Sequence, residues 1–518
     1  MIPVVGSSEM RRADAAAIRG GTPSLTLMEN AAAALVEETL AAFSHWRRAV
    51  VVCGPGNNGG DGLAAARLLR EAGVHVGVFS LRDPADYRGD AAVNFARADD
   101  RGIEITPLSG PGALRRLIRE LDGADGAVDA LFGTGLSRGL TGLAARVVSA
   151  LAASEIPVVS ADLPSGLSAD SGAVPGPAVR AAVTVAFAAP KLCHVLPPAR
   201  ALCGRVVVRD IGISREILDA KSDRSRVRIP EPADLAAVLA PRRSDSHKGD
   251  FGRLAIVAGS AGKSGAAVLA ARGALRAGAG LVTVFGIPAV RAAVLAALPE
   301  AMTEELPEEN GAIAASAGEK LARSLRDFDA AVFGPGLTAT DAVRRALRRA
   351  LGVRIPAVLD ADALNAFSGQ PAAWKARRAP TVATPHPGEM GRLLSLSARQ
   401  VQGDRLAAVV RLAKAARCVA VLKGEGTLIA APSGPALVNP TGTPLLAAPG
   451  SGDVLSGVVG AFLAAGLAPR DAAWTAVYLH GAAGERLARR LGDAGLLARE
   501  LADAIPEARR EILAEARS

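Results

Sequence analysis

Aromatic residues make up only 3% of this 518-residue chain, so its cores have to be built from Ala, Leu and Val. Half of the residues are hydrophobic, which is ample for that. Cysteine is scarce, and Cys53, Cys193, Cys203 and Cys418 form no CxxC pair. That argues against a zinc site and a disulfide framework, fits a reducing cytosol, and makes a cytoplasmic location the expectation. No Lys/Arg block is interleaved with aromatics, so nucleic-acid binding is not expected, despite a formal net charge of +9. The basic residues are scattered through helical patterns such as VRRALRRAL, and their mild excess favours phosphorylated small ligands only weakly. The longest apolar stretches, such as VVGAFLAAGLA, are too short to span a bilayer. The opening MIPVVGSSEMRRADAAAI lacks a charged segment followed by an apolar core, so neither a signal peptide nor a membrane partner is expected.

What the sequence does have is alternation. Short Val/Ala/Ile runs (RAVVVCG, VHVGVFSL, GAVDALFG, IPVVSADLP, AAVTVAFAAP) alternate with Ala/Leu/Arg helical patterns. Continuous apolar runs of this length read as buried parallel strands, and the alternation reads as α/β with helices on both faces. The stretch DAKSDRSRVRIPEPADLAAVLAPRRSDSHKGD interrupts the pattern with charge and proline, as a linker would. Two domains are expected, 1–222 and 223–518. The second α/β series runs through RLAIVAG, AAVFGPG, PAVLDADALN, TVATPHPGE and VAVLKGEGTLIA.

The loop GPGNNGGDG, residues 54–62, follows a strand and contains a literal GxGxxG. In a dinucleotide fingerprint such glycines let the backbone approach a pyrophosphate at a helix N-terminus. Here Asn57, Asn58, Gly60 and Asp61 add polar and glycine positions that the fingerprint does not need. They suit sugar, phosphate or a cation, although Asp61 could simply cap a helix. Two later strand ends share this character: VDALFGTG brings Asp129 and SADLPSG brings Asp162 and Ser165. The carboxyl ends of parallel strands line one crevice, so these residues are expected to converge. PSG is not a nucleophile elbow, because position 163 is Leu.

SSEMRRADAAAI…LMENAA, GPGNNGGDGLAAARLL, DALFGTGL, DLPSGL and FAAPKL, in this order, closely resemble the NAD(P)H-hydrate epimerase family over about residues 5–215. The resemblance implies a Rossmann-like three-layer α/β/α fold. It implies that Asn57, Asn58, Gly59, Gly60 and Asp61, the loop Gly133, Thr134, Gly135, Leu136, Ser137, Arg138 and Gly139, and Asp162 hold a hydrated nicotinamide dinucleotide. It further implies a potassium ion on Asn58, Asp129 and Ser165. Return of water to the other face of the ring needs an acid or base, and Asp162 is the expected one.

In the second half, GSGDVLSGVVGAFLAAG opens a long apolar helix with a glycine-rich turn and Asp453. Free N–H groups and the helix dipole there suit a transferring phosphoryl group, and Asp453 suits the base that takes a hydroxyl proton. GSAGKSG is not a Walker A loop, since position 257 is Val. Asp360, Asp362 and Asn365 follow a strand and could assist Mg²⁺ or cap the next helix. His386, between two prolines and near Glu389, reads as a loop histidine or a ligand, and Lys423 as a solvated lysine or a phosphate partner.

HKGDFGRLAIVAGS, FGPGL, DADALN, TPHPGE, LKGEGT and GSGDVLSG resemble the ADP-dependent NAD(P)H-hydrate dehydratase family over about residues 235–515. That implies a ribokinase-like three-layer α/β/α domain. It implies that Ala266, Gly336, His386 and Asp453 contact the hydrate. It implies that Lys423, Gly424, Glu425, Gly426, Thr427 and Gly452 contact the adenine nucleotide, used as ADP with Mg²⁺. The joint expectation is a bifunctional enzyme acting on hydrated NADH and NADPH, and a homo-oligomer. A ribokinase-like small-molecule kinase fused to a nucleotide-binding domain, and a non-catalytic nucleotide sensor, are the alternatives.

Overall fold

In the strand Arg48–Cys53, Ala49, Val51 and Cys53 enter one apolar cluster while Val50 and Val52 enter another. Successive side chains of a strand point to opposite faces, so two clusters mean that both faces of the sheet are covered. Each fully buried valine contributes about 1.5–3 kcal/mol relative to exposure. The computed structural model describes residues 1–110, 112–136, 138–221, 227–239, 241–375 and 377–516. Its contacts divide the chain into a unit of Ile2–Val227 and a second unit from Arg228 onward. The boundary expected after residue 222 lies outside the described residues.

The first unit is a parallel seven-stranded sheet. Its strands run in the order Ile105–Pro107, His75–Ser80, Arg48–Cys53, Gly126–Ala130, Val158–Ala161, Val183–Phe187 and Arg205–Arg209. The order departs from sequence order around Arg48–Cys53, and crevices form at such switch points. The glycines of GPGNNGGDG have a packing reason. A Cβ on Gly54 would lie 1.6 Å from Leu131 O, and one on Gly59 would lie 1.9 Å from Gly54 O. Helix Asn57–Glu71 therefore starts hard against two strands, as only glycine permits.

In the second unit, parallel strands follow one another as Val419–Leu422, Thr381–Ala383, Ala357–Leu359, Ala330–Phe333, Arg253–Val257, Leu281–Gly286 and Met302–Glu305. Leu428–Ala430 and Ala436–Val438 extend the sheet antiparallel beyond Val419–Leu422. Helix Ser451–Ala464 is buried along nearly its whole length. It crosses helix Ser264–Ala277 closely: a Cβ on Gly457 would meet Ala270 O at 1.9 Å. Small residues thus do the packing that aromatics do elsewhere. The expected linker is not featureless, for it holds strand Val227–Ile229 and helix Pro232–Val238.

Candidate functional site

In the first unit the ends of three adjacent strands build one polar centre. Asp129, in strand Gly126–Ala130, is fully buried. Its Oδ1 accepts from Ser165 Oγ at 2.6 Å and from Leu131 N at 3.3 Å, and its Oδ2 from Ser165 N at 2.8 Å and Ser160 Oγ at 2.9 Å. All four donors are neutral, and burial raises the carboxyl above its ordinary range. Ser165 Oγ in turn accepts from Phe132 N at 2.9 Å, which fixes the turn into Gly133. A Cβ on Gly133 would stand 3.2 Å from Asn58 Oδ1 and 3.3 Å from Asp162 Oδ2, so these three expected residues do converge. Among the described residues Asn58 Nδ2 is buried with no hydrogen-bond partner.

Asp162 sits just past strand Val158–Ala161 with φ of 65°, the left-handed region. Its Oδ1 accepts from Phe187 N at 3.3 Å and from the fully buried ammonium of Lys191, which also donates to Phe187 O at 2.8 Å. Asp61 is not a helix cap. The helix begins at Asn57 behind Gly56, and Asp61 lies a turn inside, where burial, then Asp162 and Asp14, push its carboxyl well up. Of the loop 133–139, Thr134 and Leu136 are half-buried, Gly135 and Arg138 are exposed, and Gly139 packs on Pro175 O. Ser137 lies outside the described residues. Sequence reasoning missed Lys191 and Asp14. Both lay inside quoted motifs, FAAPKL and SSEMRRADAAAI, but nothing local marks either as a partner of Asp162.

The second unit builds its centre from strand ends and one helix N-terminus. Asp360, 1% exposed, follows strand Ala357–Leu359 and makes no capping bond. Its Oδ1 accepts instead from Lys423 Nζ and from Thr384 Oγ1, both at 2.8 Å. Lys423 is therefore not a solvated lysine. Asp362 Oδ2 accepts from Thr338 N at 2.8 Å, and Asn365 Nδ2 donates to Asp362 Oδ1 at 3.3 Å. His386 is the N-cap of helix Pro387–Leu394: its Nδ1 accepts from Gly388 N at 3.0 Å, which leaves the proton on Nε2. Glu389 Oε2 closes the box on His386 N at 2.8 Å.

Gly450, with φ of 85°, turns the chain into helix Ser451–Ala464, whose first turn carries Gly452 and Asp453. A Cβ on Gly452 would lie 3.4 Å from Lys423 Nζ. Burial pushes the Asp453 carboxyl up to about 7, with Asp360 adding to the rise and Lys423 opposing it. Buried His480, its ring pushed down to about 4 by that burial, holds Ser451 O at 2.9 Å and so braces the turn. Ala266 and Gly336 adjoin, since a Cβ on Gly336 would lie 3.0 Å from Ala266 Cβ. Gly424 and Glu425 are exposed, Gly426 and Thr427 half-buried, and Thr427 Oγ1 donates to Gly424 O at 2.7 Å.

Fold and centres together define a two-centre α/β enzyme whose second unit is ribokinase-like and carries a carboxylate, Asp453, in the first turn of a glycine-led helix. Residues 254–507 match the family described as NAD(P)H-hydrate dehydratase, and residues 24–193 match that described as YjeF-related protein N-terminus. A bifunctional NAD(P)H-hydrate repair enzyme from Moorella thermoacetica is 42% identical over 492 residues, covering 93% of this chain and 92% of that one. Its counterpart from Escherichia coli is 36% identical over 475 residues, covering 92% and 87%. The ADP/ATP-dependent NAD(P)H-hydrate dehydratase of Bacillus subtilis, co-crystallized with ATP/Mg²⁺, superposes with a TM-score of 0.50 at 33% identity, covering 55% of this chain and 99% of that one. The chain belongs to the bifunctional NAD(P)H-hydrate repair enzyme family.

Proposed function

We propose that the two centres are active sites working in sequence on one damaged cofactor. The enzyme interconverts the R and S epimers of hydrated NADH or NADPH and dehydrates the S form at the expense of ADP, giving NAD(P)H, AMP and phosphate. In the second unit Ala266, Gly336 and His386 would hold the hydrate and residues 423–427 with Gly452 the nucleotide. Asp453 takes the proton of the C6 hydroxyl as that oxygen attacks the β-phosphorus of ADP and AMP leaves. The ring-nitrogen lone pair then expels phosphate from C6, and loss of a C5 proton restores the nicotinamide. The observation that carries this reading is the Asp453 carboxyl, pushed up to about 7 and set in the first turn of a glycine-led helix. A base is most effective when its ionisation lies near the working pH.

Magnesium accompanies the nucleotide. Among the described residues no group of three or more His, Cys, Asp or Glu forms a metal cage, and Asp360 and Asp362 are already engaged. The ion would therefore ride on the phosphates and offset their charge. The first unit fits a potassium ion better. Asn58, Asp129 and Ser165 offer hard oxygen donors, and the buried Asp129 carboxylate has only neutral hydrogen-bond partners. When bound, the ion would compensate that charge and order Asn58 beside Asp162. The test of the whole reading is incubation of the chain with hydrated NADH and ADP. Absorbance near 340 nm should return only with nucleotide present, and a chain that restores none of it would end the proposal.

A further inference from the structure

Epimerisation at C6 takes an oxygen away from one face of the ring and returns water to the other. The first act needs a proton donor and the second an acceptor. Asp162 alone is poorly suited to both. The Lys191 ammonium and Phe187 N hold its Oδ1, which fixes the carboxylate in place and leaves Oδ2 to face one side of the ring.

A second carboxyl stands nearby. Asp14 lies on helix Ser7–Arg19, next to the buried face made by Met10, Ala13 and Ala17. The start of that helix is pinned beside Lys191: Val5 N donates to Pro190 O at 2.9 Å, and Ser7 N donates to Asp170 Oδ1 at 2.8 Å. Asp14 is half-buried, and among the described residues no hydrogen bond or ion pair engages its carboxyl. The charged groups that act on it are Lys191 and Asp162, and it acts in turn on Asp61. A carboxyl free of structural partners, carried to the pair by a separate helix, is placed for chemistry rather than for folding.

Resting on the reading of the first unit as the epimerising site, we propose that Asp14 is its second proton-carrying residue, giving a proton to the departing C6 oxygen while Asp162 takes one from the incoming water. The proton on Asp14 passes to the C6 hydroxyl. The C6–O bond breaks as the ring-nitrogen lone pair forms N1=C6, and water leaves. A water then bonds to C6 on the opposite face, the electron pair returns to nitrogen, and Asp162 receives the surplus proton. One proton has moved from Asp14 to Asp162, and exchange with solvent or a turnover in reverse restores the start. Burial pushes Asp14 up to about 6, with Lys191 opposing and Asp162 adding, so it can give and regain a proton near neutrality. Asp61 is more deeply buried, and that burial, then Asp162 and Asp14, push its carboxyl well up.

The test is the full chain with Asp14→Asn, Asp14→Glu and Asp162→Asn, each assayed for epimerisation across pH, with its thermal unfolding profile against the unaltered chain as the check on folding. Asp14→Asn should lose at least ~10²-fold in epimerisation kcat with little change in KM, the scale of a lost general acid. Asp14→Glu should recover part of it. The unaltered enzyme should lose epimerisation rate as pH rises through a midpoint near 6. Wild-type kcat and pH profile in Asp14→Asn, with Asp162→Asn inactive, would overturn this inference and spare the site. A fully active Asp162→Asn would overturn both. Should Asp14→Asn fail to bind hydrate, the unaltered enzyme decides: no alkaline fall in rate means no role for Asp14.

Discussion

Lys423 Nζ lies 2.8 Å from Asp360 Oδ1, and the two act on Asp453 with opposite signs. Asp360 raises the Asp453 carboxyl and Lys423 lowers it. Asp360→Asn should therefore move the acid-side midpoint of the dehydration pH profile down from about 7, and Lys423→Met should move it up. Lys423→Met also strands a buried carboxylate, which typically costs about 3–5 kcal/mol, so its Tm should fall well below that of Asp360→Asn. Midpoints that move together would remove this electrostatic arrangement from the mechanism.

Asp453→Asn should cut dehydration by at least ~10²-fold while nucleotide binding and epimerisation persist. In the unaltered enzyme the dehydration rate should fall as pH drops through about 7, because the protonated carboxyl cannot accept the hydroxyl proton. Coupled assays of the two activities on one preparation separate the effects. Near-normal repair by the folded variant would take Asp453 out of its role.

Replacing potassium by a bulky organic cation at equal ionic strength should slow epimerisation, because Asp129 would lose the charge that compensates it. Dehydration of the S epimer should change less. The two rates, followed in parallel, decide the matter, and an epimerase indifferent to the swap would count against the ion.

Asp162→Ala should leave dehydration of a mixed hydrate fast at first, then slow once the S form is spent. A site that seats one C6 hydroxyl cannot seat its mirror position as well, and about 1 Å of misplacement can cost ~10²-fold. Adding the Asp453→Asn enzyme, which keeps the first activity alone, should restore the fast phase. Complete single-phase repair without it, faster than a protein-free control, would show that the second site takes both epimers.

The frame of both sites was legible because it is local. Runs such as VVVC and GAVDA are too apolar for anything but a strand buried on both faces, and parallel strands send their carboxyl ends to one side. Asp129, Asp162 and Lys423 follow from that rule, and Asp453 from the glycine-rich turn that opens its helix. Asp14, Lys191, Thr384 and His480 do not. Each matters through a partner far away in sequence, and a helix or loop residue carries no sign of what the fold will set against it. The stretch after residue 222 misled in the opposite direction, since its prolines and charges hid the helix Pro232–Val238, whose first turn Pro232 opens.

The left-handed backbone at Asp162 has a consequence for descent. Any side chain held there costs roughly 1–3 kcal/mol, and glycine would relieve it. Aspartate is kept at 162 only while its carboxylate is worth that cost. Asp162→Gly would relieve that cost but strand the fully buried Lys191 ammonium, which typically costs about 3–5 kcal/mol, so relaxed selection can release this position only together with Lys191. Among relatives, glycine at the place of Asp162 together with an apolar residue at the place of Lys191 would mark a lineage that has given up the first reaction and kept its fold as a scaffold.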